Sequence, residues 1–206
     1  MKKIIAALAI ITVSVYSVSA DNFKILYLTT PDIAIGGKTH KVGDTFAGDE
    51  PVAWSAPRQA MKVLNTATKK QSLVVAEKYE GCKSADMNSY FVQSKQLSTR
   101  QGEIINTMEL GIVLGDSHYM LDSISVSTLL PVDNNRFFFA SYDYNGETIN
   151  KKLNCRNGNL IFDKTIYSID GKSIEPFDIT LSVWYMDREA GNRTLVTDKM
   201  IILPVN

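Results

Sequence analysis

Nucleophilic catalysis would have to rest on Val113-Leu114-Gly115-Asp116-Ser117-His118, where an apolar run ends in a small turn that carries a serine hydroxyl. A serine attacks a carbonyl efficiently when a histidine takes its proton and an acid holds that histidine. His40 and His118 are the chain's histidines, and none follows His118. Adjacent side chains of a strand point to opposite faces, so His118 is a poor base for Ser117. Metal chemistry finds less. The histidines are far apart, and neither His-x-x-x-His nor Cys-x-x-Cys spacing occurs. Asp133-Asn134-Asn135 and Asp143-Tyr144-Asn145-Gly146 offer oxygen ligands, but neither continues to the glutamate of a calcium loop, and both read as turns. Gly36-Gly37-Lys38 lacks the spacing of a phosphate loop. No metal and no cofactor is expected.

The Gly115-Asp116-Ser117 turn after Val113-Leu114 resembles the first block of the GDSL, or SGNH, hydrolases. The resemblance implies a serine nucleophile after a strand, a parallel α/β sheet, and a late Asp-x-x-His block that supplies the base. That late block is missing here, and the surrounding pattern is antiparallel. The residues are therefore expected to form a turn between two strands. A serine hydrolase centred on Ser117 is the alternative reading.

Binding residues are easier to find. Phe137-Phe138-Phe139 alternate along one strand, so at least one face of it is core. Trp54 and Trp184 could stack on a sugar ring or a partner side chain, and Met61 lies on a strand near Trp54 in sequence. Trp54, Met61 and Trp184 are the candidate contact residues, with burial as the competing fate of each. Val52, Trp54, Met61 and Val63 crowd a first part too small to bury everything, so this group is expected to rest on the second part or on another protein.

Composition limits the partners. The 22 basic residues balance 22 acidic ones, so no overall basic field points to nucleic acid. A hydrophobic content of 45% with 21% charged residues is that of a globular protein rather than a disordered chain. Lys2 and Lys3, an apolar run from Ile4 to Val18, and Val18-Ser19-Ala20 form the three parts of a signal peptide, residues 1–20, cleaved after Ala20. The run is shorter than a membrane-crossing helix needs, so no span is expected in the mature chain. The protein is expected to be exported, to the periplasm or outside the cell. Disulfides persist there. A bond between Cys82 and Cys155 would close a loop of roughly 70 residues and stabilise by about 4 kcal/mol in the chain-entropy model; two unpaired thiols are the other possibility. Neither cysteine has a local context that would activate it as a nucleophile.

The elements that must position these residues are mostly strands. Period-two alternation broken by Gly36-Gly37, Gly43-Asp44, Asn145-Gly146, Asn157-Gly158 and Asp170-Gly171 predicts a mainly β chain. Residues 21–79 supply short strands enough for a small SH3-like barrel. Residues 80–100 shift to Lys, Ser, Asp, Asn and Gln and read as a polar linker. Residues 101–206 read as an antiparallel β-sandwich. Within them, Gln101–Leu110 is ambiguous between helix and strand, Ile112-Val113-Leu114 is expected as strand, and so is Ile166–Ile169.

Lys41-Val42-Gly43-Asp44-Thr45-Phe46, Trp54 and Gln59-Ala60-Met61-Lys62-Val63, with Tyr144-Asn145-Gly146-Glu147 and Ile149-Asn150-Lys151-Lys152-Leu153, resemble small exported two-part β proteins of Gram-negative gut-type bacteria. These motifs are turns and strands, so the resemblance implies an architecture and an address but no active site. The function expected is a non-enzymatic envelope protein that binds a protein or glycan partner, of open oligomeric state.

Overall fold

The structure, a computed structural model, describes residues 21–76, 85–86 and 104–205. Residues 1–20, with the expected cleavage at Ala20, lie outside them, and so do Cys82 and all of the expected 80–100 linker except Ala85–Asp86.

The first part contains β1 (Asn22–Leu28), β2 (Ala34–Ile35), β3 (Lys38–Thr39), β4 (Thr45–Ala47), β5 (Pro51–Ala53), β6 (Ala60–Asn65), β7 (Gln71–Val75) and β8 (Ala85–Asp86). They form two four-stranded antiparallel sheets, in the orders β4-β1-β6-β7 and β3-β2-β5-β8. A register shift in β1 between Ile25 and Tyr27 marks a bulge, which bends the strand where it leaves β4. Among the described residues neither sheet closes on itself, so the expected barrel is not found closed there. The reason lies in length: β2, β3, β4, β5 and β8 are each two or three residues long, too short to wrap a barrel wall. The two sheets share one core. Phe23, Ile25, Phe46, Met61, Val63 and Val74 from the first meet Ile33, Ile35, Val52 and Trp54 from the second. Its described members all fall within residues 23–76, so the apolar group around Trp54 rests on its own part rather than on the second.

The second part contains α1 (Thr107–Leu114), β9 (Ser117–Met120), β10 (Ser123–Ser127), β11 (Arg136–Tyr144), β12 (Glu147–Lys152), β13 (Asn154–Arg156), β14 (Asn159–Asp163), a 3-10 turn (Lys164–Tyr167), β15 (Ser168–Ile169), β16 (Lys172–Ser173), β17 (Ile179–Asp187) and β18 (Asn192–Pro204). Its main sheet has the order β12-β11-β17-β18-β9, and a three-stranded sheet has the order β10-β14-β13. Both contribute to one core: Phe138, Ala140, Tyr142, Leu181 and Val183 from the main sheet, with Ile124, Val126, Leu160 and Phe162 from the smaller one. Asn145 and Gly146, with φ of 52° and 84°, make the tight turn between β11 and β12, a conformation that asparagine tolerates and glycine adopts freely.

The second part departs from the expected antiparallel pattern at one edge, where β9 runs parallel to β18. The segment that leads into β9 also differs from expectation, because it is the helix α1. Ile112-Val113-Leu114 is helix, not strand. Asn106 caps the helix by accepting a hydrogen bond from the Glu109 backbone N–H at 2.9 Å, and the Glu109 carboxylate accepts from the Ile105 N–H at 3.2 Å. This reciprocal cap favours helix over a short apolar strand. Gly111 completes the reason: a Cβ there would lie 2.2 Å from the Val196 carbonyl oxygen, so α1 packs against β18 with backbone on backbone. Ile166 and Tyr167 likewise belong to the 3-10 turn, capped by Asp163, and only Ser168–Ile169 pairs as strand. The Arg58 guanidinium donates to both carboxylate oxygens of Asp178, Nη2 to Oδ2 at 2.7 Å, and so joins the two parts.

Candidate functional site: an aromatic and cationic sheet face

Strand alternation divides the main sheet into two faces. Phe138, Ala140 and Tyr142 of β11 turn inward with Ile179, Leu181 and Val183 of β17. Phe137, Phe139 and Trp184 therefore stand on the outer face, each partly exposed. Register makes a row of them: Lys152 of β12 faces Phe139, Phe139 faces Trp184, and Trp184 faces Leu195 of β18. One step along, Phe137 faces Met186, and Met186 faces Arg193. The rings of Phe139 and Trp184 are stacked, with centroids 6.2 Å apart and planes nearly parallel at 8°.

Cations lie over two of the outer rings. Lys152 Nζ lies 4.7 Å from the Phe137 centroid, and the Arg188 guanidinium carbon lies 5.0 Å from it. The Arg193 guanidinium carbon is 4.7 Å from the Trp184 centroid. Lys152 and Arg193 reach their rings diagonally across the strand pair, as long side chains can. Among the described residues none of these three cations makes an ion pair. Arg136 is different. Asp133 accepts from its Nε at 2.9 Å and from its Nη2 at 2.6 Å, and those hydrogen bonds hold the Asp133 carboxyl below its ordinary range. Arg136 is thus spoken for, while Lys152, Arg188 and Arg193 are exposed and have no ion-pair partner among the described residues.

Beyond Leu195 the face borders a shelf of apolar side chains on α1. Met108 and Ile112 are 78% and 76% exposed, which accounts for a helix with apolar residues on both sides.

The other candidates fall elsewhere. Trp54 is 4% exposed and Met61 fully buried, both in the core of the first part, so they do not join Trp184 on one surface. Ser117 is exposed at the start of β9, while the His118 ring is buried and its Nε2 lies 3.2 Å from the Leu114 carbonyl at the end of α1. His40 lies in the first part, beside Asp44 at 3.6 Å. The fold does not bring an imidazole to the Ser117 hydroxyl. Cys155 is partly buried in β13, and burial pushes its thiol up, away from the reactive thiolate. Among the described residues no group of three His, Cys, Asp or Glu side chains could hold a metal ion. No helix among them is long and apolar enough to cross a membrane.

Sequence reasoning found Trp184 and the Phe137–Phe139 run but not the three cations. The signal was the two-residue turn at Asn145-Gly146. It fixes Lys152 opposite Phe139 once Tyr144 is paired with Glu147.

Fold and face together define a two-part, mainly β protein with an exposed aromatic and cationic sheet face. Comparison with protein-family models, with curated proteins and with solved structures gave no match.

Proposed function

We propose that this is a non-enzymatic, exported binding module, and that the outer face of the β12-β11-β17-β18 sheet contacts its protein or glycan partner. The observation that carries the reading is the stacked pair Phe139 and Trp184, partly exposed on paired strands beside cations that make no ion pair among the described residues. Large rings left outside a completed core are the usual anchors of recognition surfaces, and anchors on strands are better placed than anchors on loops. The finer architecture follows the same reading. Two small sheets on one core support an open, SH3-like arrangement for the first part, and two sheets on one core support a sandwich for the second.

Binding is tested on the full exported chain with an array of envelope glycans and proteins. The expected result is a ligand whose binding is lost in Trp184→Ala and kept in a variant of the opposite sheet edge such as Ser117→Ala. Binding unaffected by Trp184→Ala contradicts the proposal. The alternative, a hydrolase centred on Ser117, has in its favour the exposure of that hydroxyl. A fluorophosphonate probe that labels the protein but not Ser117→Ala would replace the binding reading with it.

A further inference from the structure

We infer that β12 is the docking edge for a second copy of this chain, the two β12 strands pairing antiparallel about a twofold axis that passes through Ile149. β12 ends the main sheet, and among the described residues no strand pairs with its far side. Its register on β11 determines which backbone groups are left over. The two-residue turn at Asn145-Gly146 makes Tyr144 and Glu147 a hydrogen-bonded pair. Such pairs alternate with non-bonded ones along an antiparallel ladder, so Glu147, Ile149 and Lys151 bond to β11. Leu153 continues the series, its N–H donating to the Phe138 carbonyl at 2.9 Å. Thr148, Asn150 and Lys152 therefore turn their N–H and C=O groups to the open side, and all three residues are exposed. A bare edge of this kind is a template for another strand.

Charge selects the strand that fits. Backbone bonding across the seam needs Thr148, Asn150 and Lys152 to face one another, which excludes any register whose axis falls between residues. Centred on Lys151, two copies would set that lysine against itself. Centred on Thr148 or Asn150, neither Glu147 nor Lys151 would meet an opposite charge. Centred on Ile149, Thr148 and the second copy's Asn150 exchange backbone hydrogen bonds, and Glu147 faces the second copy's Lys151 on both sides of the axis. Those side chains, and the two Ile149 side chains between them, occupy the non-bonded positions where cross-strand neighbours come closest. Ile149 packs against the core yet stays partly exposed, so the seam covers apolar surface as well. Lys151 Nζ donates to the Ser168 carbonyl, which keeps it on this inner side, and an ammonium has further donors to give. Lysine on an edge repels a strand that brings no acid to meet it. A twofold contact needs a patch that complements itself, and β12 is one, with an acid at its start, lysine near its end and isoleucine between them. That self-match, rather than the openness of the edge, selects a second copy over a strand of another protein. Pairing would continue the main sheet from one copy into the other and set their outer faces side by side.

Sedimentation velocity of the full exported chain, from low micromolar to near-millimolar concentration, tests this. Strands of 6 residues bury less than the roughly 800 Å² per partner of a standard interface, so a weak, reversible dimer is expected. Glu147→Lys and Lys151→Glu should each weaken it by about tenfold or more, because two attractive pairs become two repulsive ones. An equimolar mixture of these two variants should dimerise as the parent does, since each supplies the charge the other lacks. Asn150→Pro removes an N–H on the open side only and should give a monomer whose circular dichroism matches the parent's. A chain that stays monomeric throughout overturns the inference. So does a dimer that the charge reversals leave intact, or one whose loss the mixture fails to repair. A dimer broken by Ile112→Ser and not by Asn150→Pro places the contact on the α1 shelf and overturns it as well.

Discussion

The first part of the molecule turns Phe23, Phe46 and Trp54 into its core, whereas the second keeps Phe137, Phe139 and Trp184 at its surface. The difference follows from supply. The first part has two small sheets, one of them built only of strands two or three residues long, and a unit that small buries a modest fraction of its surface, so it needs its large rings inside. The second part fills its core from two sheets and from Leu110 and Leu114 of α1. Its outer rings are surplus to packing. An exposed ring is informative in a region whose core is complete, and a lone tryptophan in a small unit is structural first.

Paired substitutions put numbers on that contrast. Trp54→Ala should destabilise the protein by about 3–5 kcal/mol, the usual cost of emptying a buried aromatic site. Trp184→Ala should cost at most about 1 kcal/mol, since it removes one exposed ring and its partial stacking on Phe139. Urea unfolding followed by circular dichroism measures both. Equal costs would mean that the outer rings are core and the functional reading of their exposure is wrong.

Gly111→Ala comes next, at about 1–3 kcal/mol. Two effects oppose each other there. Alanine is the better helix former by nearly 1 kcal/mol, but its Cβ would meet the Val196 carbonyl oxygen at 2.2 Å, and backbone cannot swing aside. Overpacking should win, and α1 should lift from β18 next to Leu195. The loss is expected in the second part, read from amide exchange of β18 with β6 unaffected. A stabilised protein would show that α1 has room to move.

Those sites also show why some of the molecule was legible in its sequence and some was not. Turns such as Asn145-Gly146 specify themselves, because positive φ is a local demand, and they carried the β class and the pairing of β11 with β12. The helix over Thr107–Leu114 was hidden because Ile105, Met108 and Ile112 are apolar yet exposed, which erases the one-sided pattern a helix usually shows. Its evidence was instead in Asn106 and Glu109, a reciprocal cap weaker to the eye than hydrophobic periodicity. The parallel pairing of β9 with β18 depends on contacts distant in sequence, which no local pattern encodes. The same holds for the site. Trp184 was visible as a residue type, but Arg193 and Lys152 became part of its face only through cross-strand register.

The smallest expected effect concerns the link between the two parts. Hydrogen bonds from Arg58 hold the Asp178 carboxyl below its ordinary range, against the opposing effect of partial burial. A carboxyl with a depressed folded value adds stability above its unfolded value, near 4, and loses it as pH falls through the folded one. The side chains are 35% and 47% exposed, so screening by water limits the pair to about 0.2–1 kcal/mol. Asp178→Asn should therefore cost little at pH 7 and flatten part of the acid slope of stability. Raising the salt should shrink the difference from the parent chain. Urea midpoints at pH 7 and pH 3, at low and high salt, read all of this. If Asp178→Asn instead cost several kcal/mol, the two parts would unfold as one cooperative unit through this contact. The separate fates of Trp54 and Trp184 could then no longer be explained by two cores that each meet their own needs.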